Sequence, residues 1–140
     1  MHIYTRTVVA IPAAYKEDQS LDLESTKKYV EYLDSQNVGT VMTTAGTSHF
    51  NLLSIDEIHK LNESVVKSFS GQKIIGVPAL SLCMVKEFIK AAHSYLDEKS
   101  NLMFLYPDRY YTDELIEKYM ESVGLECKNS IYIHGKTVRN

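Results

Sequence analysis

The sequence predicts an α/β fold in which five strands alternate with four helices. Short runs rich in Val, Ile, Thr and Met recur roughly thirty residues apart, and the segments between them carry apolar residues at helical spacing. The predicted strands are residues 7–11, 38–43, 73–77, 102–106 and 130–134. No linker or low-complexity tract interrupts the pattern, so we expect one continuous segment over residues 1–140.

Polar residues and glycines mark the ends of the predicted helices. Ser54 followed by Glu57 forms the capping-box pattern that begins a helix, and Gly71 is expected to end that helix in a left-handed conformation. The other expected N-caps are Asp22, Ser81 and Thr112, and the other expected exits are Asn37 and Gly124. Each helix is amphipathic and therefore has one side to bury.

Two architectures fit this alternation, because strands joined through helices return parallel to one another. One is a partial TIM (β/α)₈ barrel of about four βα units plus a fifth strand, and the alternative is a flavodoxin-like doubly wound sheet. A doubly wound domain normally closes with a helix over its last strand, whereas Asn140 lies six residues after position 134. We therefore expect residues 1–140 to be a segment of a longer barrel.

Composition excludes several classes of function. The net charge is −3 and the basic residues are scattered, so no nucleic-acid or anionic-membrane surface is expected. The chain shows no signal peptide and no long apolar run, which predicts a cytoplasmic protein. Cys83 and Cys127 are expected to be reduced, buried thiols, and the histidines share no metal-ligand spacing.

The loop after the second predicted strand is the strongest candidate for chemistry. Residues 43–48 are six consecutive small residues, rich in hydroxyls and backbone amides, with Gly46 allowing close approach of a ligand. In either architecture the ligand site lies at the carboxyl ends of the strands, where this loop begins. Such a loop binds a carboxylate or phosphate, or else its hydroxyls only cap their own backbone.

These residues resemble the Gly-Thr-Thr-Gly-Glu-Ser motif of the dihydrodipicolinate synthase and N-acetylneuraminate lyase family. The segment is followed by residues 53–57, Leu-Ser-Ile-Asp-Glu, which are similar to the family's Leu-Ser/Thr-x-Glu-Glu helix start. Residues 10–23 and 75–79 resemble the family's first and third strand motifs. The resemblance covers essentially the whole chain and implies the N-terminal half of a class I pyruvate-dependent aldolase.

The resemblance implies that the paired threonines of the motif bind the carboxylate of pyruvate or a related 2-keto acid. Thr44 keeps the first threonine, whereas Ala45 replaces the second and leaves its backbone amide as the donor. Thr43 replaces the leading glycine, and Thr47 replaces the glutamate. We expect Thr44 and Ala45 to bind the substrate with one hydroxyl fewer than the family uses.

The resemblance also implies a proton relay near the fourth and fifth strands. The family has a Tyr-Tyr pair after strand four, and either Tyr106 or Tyr110 fits that role here, although a tyrosine there also packs well without catalysis. We assign Tyr106 to the relay and Tyr110 to substrate binding. Alignment on Arg139 and Asn140 puts His134 where the family has its relay tyrosine, while a shift of one residue would put Ile133 there.

The family forms a Schiff base through a lysine on its sixth strand, and that strand is not part of residues 1–140. The implied activity is a lyase or synthase acting on pyruvate or a related keto acid, with no cofactor, incomplete as given. Unpaired strand edges predict a homo-oligomer. The alternative is a non-catalytic α/β binding or regulatory domain, in which His134 only ends a strand.

Overall fold

The computed structural model describes residues 7–43, 48, 50–105, 112–129 and 131–134, with backbone alone for Leu105 and residues 131–134. The strands are β1 Val8–Ala10, β2 Thr40–Met42, β3 Gln72–Val77, β4 Ser100–Leu105 and β5 Ile131–His134. The helices are α1 Leu23–Ser35, α2 Ile55–Ser68, α3 Leu82–Ala92 and α4 Asp113–Glu126. A short 3₁₀ helix, Phe50–Leu52, precedes α2.

The five strands form one parallel sheet whose order follows the chain, β1-β2-β3-β4-β5. Each crossover thus advances to the next strand in the same direction, as in a barrel. A flavodoxin-like sheet instead has the order 2-1-3-4-5, with a reversal after its first crossover. The structure therefore confirms the partial (β/α)₈ barrel and rejects the doubly wound alternative.

The two faces of the sheet differ in burial because side chains alternate along each strand. Val41, Ile75 and Leu102 are fully buried and belong to the main hydrophobic core together with residues of all four helices. Residues of the other parity, such as Met42 and Ile74, are half-buried, and Val8 is 43% exposed. The core thus lies between sheet and helices, and the face that would line a barrel is partly open.

Local signals position the helices against this core. Ser54 and Glu57 form the predicted capping box: the Glu57 carboxylate accepts from the Ser54 backbone N–H at 2.8 Å, and Ser54 Oγ accepts from the Glu57 N–H. Asp22, Ser81 and Thr112 are the N-caps of the other helices, also as predicted. These caps satisfy backbone donors that the first turn of a helix leaves free.

The observed ends of the helices agree less well with the predicted ones. Asn37 adopts a left-handed φ of 57° after α1, and the N–H of Val38 donates to the carbonyl of Leu33, which together form a Schellman-type end. The prediction for Gly71 was wrong, because its φ is not positive and α2 ends at Ser68. The prediction for Gly124 was also wrong, since α4 continues through it to Glu126.

Gly71 is needed for close packing rather than for its backbone angle. A Cβ atom there would lie 2.7 Å from the carbonyl oxygen of Gly39 and 2.7 Å from the Phe69 ring. The Gly39 carbonyl also accepts the Gln72 N–H at 3.0 Å, so β2 and β3 approach closely at this point. A side chain would therefore push the two strands apart.

The cysteines are both free, but the prediction that both are buried was wrong for Cys83, which is exposed on α3. Cys127 is half-buried at the end of α4, where burial raises the pKa of its thiol to about 11. None of the helices in the described part of the chain combines the length and apolar character that a bilayer crossing requires.

Candidate functional site

The carboxyl ends of β1 to β5 lie along one edge of the sheet, because all five strands are parallel. Ile11 follows β1, Thr43 follows β2, Pro78 follows β3, and Leu105 and His134 end β4 and β5. In barrels of this kind the ligand site lies at this edge. The loop 43–48 begins here, as the sequence predicted.

The base of that loop is held by hydrogen bonds to both neighbouring strands. The Ile11 N–H donates to the Met42 carbonyl at 2.8 Å, and the Thr43 N–H donates to the Ile74 carbonyl at 2.9 Å. At the far end of the loop, Ser48 Oγ donates to the Ile11 carbonyl. The side chains of Thr43 and Ser48 are fully buried, so both ends of the loop are packed into the protein.

Thr43 carries a buried hydroxyl that finds no hydrogen-bond partner among the described residues. Its backbone bond to Ile74 continues the ladder of β2, so its side chain has the same parity as Val41, which packs toward the helices. A buried hydroxyl without a partner costs about 1–3 kcal/mol. Among the described residues, Thr43 therefore contributes a buried side chain at the start of the loop.

Four of the five predicted site residues, Thr44, Ala45, Tyr106 and Tyr110, lie outside the described residues. His134 is the last residue of β5, and its backbone is in register with Leu105 at the end of β4. Its position is therefore at the predicted edge, next to the strand that Tyr106 follows. The roles of all five residues stay predictions.

Sequence reasoning gave Ser48 no role of its own, although its hydroxyl makes a buried contact across the sheet edge. The signal that could have found it is the serine that ends the family motif and is kept here. The pattern alone does not reveal its partner, because Ile11 is 37 positions away in the chain.

A buried lysine lies at the opposite edge of the sheet from the candidate site. Lys73 is the second residue of β3, is 1% exposed, and donates to Asp97 Oδ2 at 2.6 Å. This ion pair borders a cavity of about 280 Å³ lined by Phe69, Ser70, Lys73, Asp97, Glu98 and Lys99. The pair joins the amino ends of β3 and β4, far from the loops that follow the strands.

Another polar contact joins α2 to the turn that follows α3. His59 Nδ1 lies 2.9 Å from the Tyr95 hydroxyl, and the His59 ring stacks on Phe88 with centroids 4.2 Å apart. Burial lowers the pKa of His59 and raises the pKa of Tyr95. Among the described residues, no group of three His, Cys, Asp or Glu side chains is arranged to bind a metal ion.

Comparison with solved structures gives the fold a family context. A dihydrodipicolinate synthase family protein from Coccidioides immitis matches with a TM-score of 0.83 and 20% identity, over 95% of this chain and 44% of that one. N-acetylneuraminate lyase from Mycoplasma synoviae matches with a TM-score of 0.79 and 19% identity, over 94% of this chain and 47% of that one. The chain has the fold of part of these enzymes.

The prophage protein YagE from E. coli K12, of the dihydrodipicolinic acid synthase family and solved in complex with pyruvate, matches with a TM-score of 0.82 and 13% identity. That match covers 94% of this chain and 44% of YagE. No family model and no curated protein sequence matches. This chain therefore spans less than half the length of the solved structures it resembles.

Proposed function

We propose that this chain contributes the keto-acid-binding half of a Schiff-base-forming lyase or synthase that acts on pyruvate or a related 2-keto acid. The observation that carries the proposal is the position of the hydroxyl-rich loop. It follows β2 at the ligand-binding edge of a fold shared with a pyruvate-bound protein. The motif resemblance of residues 43–48 supports the same substrate class.

In this proposal Thr44 and the Ala45 amide bind the substrate carboxylate, and Tyr110 completes the binding site. The imine forms when a lysine amine attacks the keto carbon and water leaves. Tyr106 and His134 carry protons from the attacking amine to the carbonyl oxygen, which then leaves as water. The lysine belongs on a sixth strand, beyond the five strands of residues 1–140.

His134 would give this relay a different pH dependence from that of a tyrosine. Histidine exchanges its proton near neutrality, whereas the unperturbed pKa of tyrosine is about 10. The backbone position of His134, beside the end of β4, supports a shared role with Tyr106.

Replacing Thr44 with valine tests the carboxylate site. A hydrogen bond to a charged group is worth about 1.5–3 kcal/mol, so we expect pyruvate affinity to fall about tenfold or more. Titration of the protein, as its source produces it, with pyruvate measures this change. Thr7→Val is the matched control, because Thr7 is an exposed threonine at the amino end of β1. Equal affinity in the two variants would contradict the assignment of Thr44.

A non-catalytic binding domain is the second candidate, and the replacements at Ala45 and His134 favour it. The double variant Ala45→Thr, His134→Tyr restores the family residues at both positions. If the protein is a weakened enzyme, this variant should form more imine with pyruvate than the unaltered protein does. No gain in imine, with pyruvate affinity retained, would favour the binding domain.

We also propose that the protein assembles as a homo-oligomer. In the described sheet β1 and β5 each pair with only one neighbour. Parallel sheets are found almost only with both faces covered, and here the barrel-lining face is partly open. Unpaired edges and an open apolar face both favour association with another copy.

A further inference from the structure

We infer that Ser48 is a positioning residue that fixes the keto-acid loop by bonding to the end of β1. The inference rests on the proposed function, because the loop is taken to bind the substrate carboxylate. It concerns what we call the Ile11 clasp, which consists of Ile11, the Met42 carbonyl and the Ser48 hydroxyl. Ser48 touches no reacting atom in this account and acts through residues 44–47.

The clasp holds both ends of the loop on a single residue. The Ile11 N–H donates to the Met42 carbonyl, immediately before the loop begins. The Ile11 carbonyl accepts from Ser48 Oγ, where the loop ends. The start and the end of the loop are therefore both hydrogen-bonded to Ile11, the residue that follows β1.

Burial makes this contact persistent. Both Ile11 and Ser48 are fully buried, so water does not readily compete for the Ile11 carbonyl. Removal of the hydroxyl would leave that carbonyl without its donor in a dry environment, which is costlier than loss of an exposed bond. The hydroxyl also bonds to a residue 37 positions away, just after β1, so it does not merely cap its own turn.

The neighbouring strand reinforces the same end of the loop. The Thr43 N–H donates to the Ile74 carbonyl of β3 at 2.9 Å. β1 and β3 thus hold the start of the loop from both sides, whereas Ser48 makes the contact that ties its end to β1. Loss of Ser48 Oγ should therefore free one end and leave the other in place.

The first experiment is hydrogen–deuterium exchange on the ligand-free protein as its source produces it. Ser48→Ala should increase exchange in peptides covering residues 43–48 by about threefold to tenfold, the change expected for one net hydrogen bond. Peptides from β3 serve as the internal reference. Ser94→Ala is the matched control, because Ser94 Oγ donates to the Ala91 carbonyl at 2.8 Å on an exposed surface of the helix layer.

The second experiment measures pyruvate affinity for the same variants. Ser48→Ala should weaken pyruvate binding by about the same threefold to tenfold, and Ser94→Ala should not change it. Ser48→Cys keeps a weak donor of similar size and should give an intermediate affinity. If Ser48→Ala does not fold, the cysteine variant alone carries the comparison with Ser94→Ala.

The outcomes separate this inference from the proposed function. Absence of pyruvate binding by the unaltered protein would overturn the proposed function. Equal exchange in the Ser48 and Ser94 variants would overturn the clasp, whatever binds. Faster exchange in Ser48→Ala with unchanged pyruvate affinity would overturn the positioning role while leaving the proposed function intact.

Discussion

Asp97 illustrates how single residues fix the amino edge of the sheet. Its carboxylate accepts from Lys73 Nζ at 2.6 Å and from Ser100 Oγ at 2.7 Å. Its backbone carbonyl accepts from the Asn129 amide, which links the residue to the segment before β5. The Asp97 side chain thus joins the starts of β3 and β4, and its backbone carbonyl links them to the segment before β5.

Loss of the Asp97 carboxylate should destabilise the protein more than loss of the lysine. Asp97→Ala leaves Lys73 buried without its anion, while Lys73→Met removes the charge and keeps most of the volume. We expect Asp97→Ala to lower the free energy of unfolding by about 1–2 kcal/mol, less than a fully buried pair would lose, because the Asp97 side chain is 41% exposed. Urea unfolding of both variants measures the difference, and an equal or larger loss in Lys73→Met would contradict it.

The same carboxylate gives stability a pH dependence. Burial opposes ionisation of Asp97, but hydrogen bonds from Lys73 and Ser100 outweigh it and lower the pKa below the ordinary value of 3.8. The contribution is therefore complete above pH 3.8 and disappears as the pH falls through the lower folded pKa. Urea unfolding between pH 5 and pH 2 should show a smaller acid loss in Asp97→Asn than in the unaltered protein.

At the scale of the elements, the starts of helices were predictable and several ends were not. Ser54, Asp22, Ser81 and Thr112 signal a helix start through local hydrogen bonds, so the chain beside them contains all the information needed. Gly71, which we expected to end α2, instead lies close to Gly39, a contact between distant segments. Sequence patterns cannot show such a contact.

In the candidate site, too, some features could be predicted from the sequence and others could not. The position of the loop after β2 followed from the strand pattern, and the register of His134 beside Leu105 agrees with the predicted strand. The bond from Ser48 to Ile11 depends on how β1 and β2 pair, which local patterns do not specify. Motif resemblance supplied the proposed chemistry of Thr44 and Ala45, and neither composition nor periodicity contained it.

The two glycines give a matched test of these interpretations. Gly124 lies inside α4, and a Cβ there would meet nothing within 4 Å, so Gly124→Ala should stabilise the protein by about 0.5–1 kcal/mol. Gly71→Ala should destabilise it, because its Cβ would lie 2.7 Å from a backbone oxygen. Thermal unfolding of both variants measures the two signs. A stabilising Gly71→Ala would contradict the close approach of β2 and β3.

At the scale of the whole molecule, the main feature without a packing partner among the described residues is the sheet face that would line a barrel. Along β2 this face presents Thr40 and Met42, which are half-buried and uncharged. Nothing in the described helices covers this face, since their buried residues pack on the other side. The fold thus favours a partner surface at the place where a complete barrel would continue.

Light scattering coupled to size-exclusion chromatography tests the proposed homo-oligomer. For residues 1–140 produced alone we expect a mass above that of one chain, and Ile74→Glu should shift their distribution towards monomer by placing a charge on the open face. Leu125→Glu is the matched control, because Leu125 is 88% exposed on α4. Concentrated samples of residues 1–140 that stay monomeric and monodisperse would contradict the open half-barrel.

Intact-mass spectrometry after pyruvate and borohydride tests the central claim most directly. Borohydride reduces an imine to a stable amine, so a Schiff-base enzyme retains the pyruvyl group covalently. We expect the protein, as its source produces it, to have about twice the 16.0 kDa of residues 1–140 and to carry one pyruvate-dependent adduct. A product of that size with no adduct, or an adduct that forms equally without pyruvate, would contradict the account.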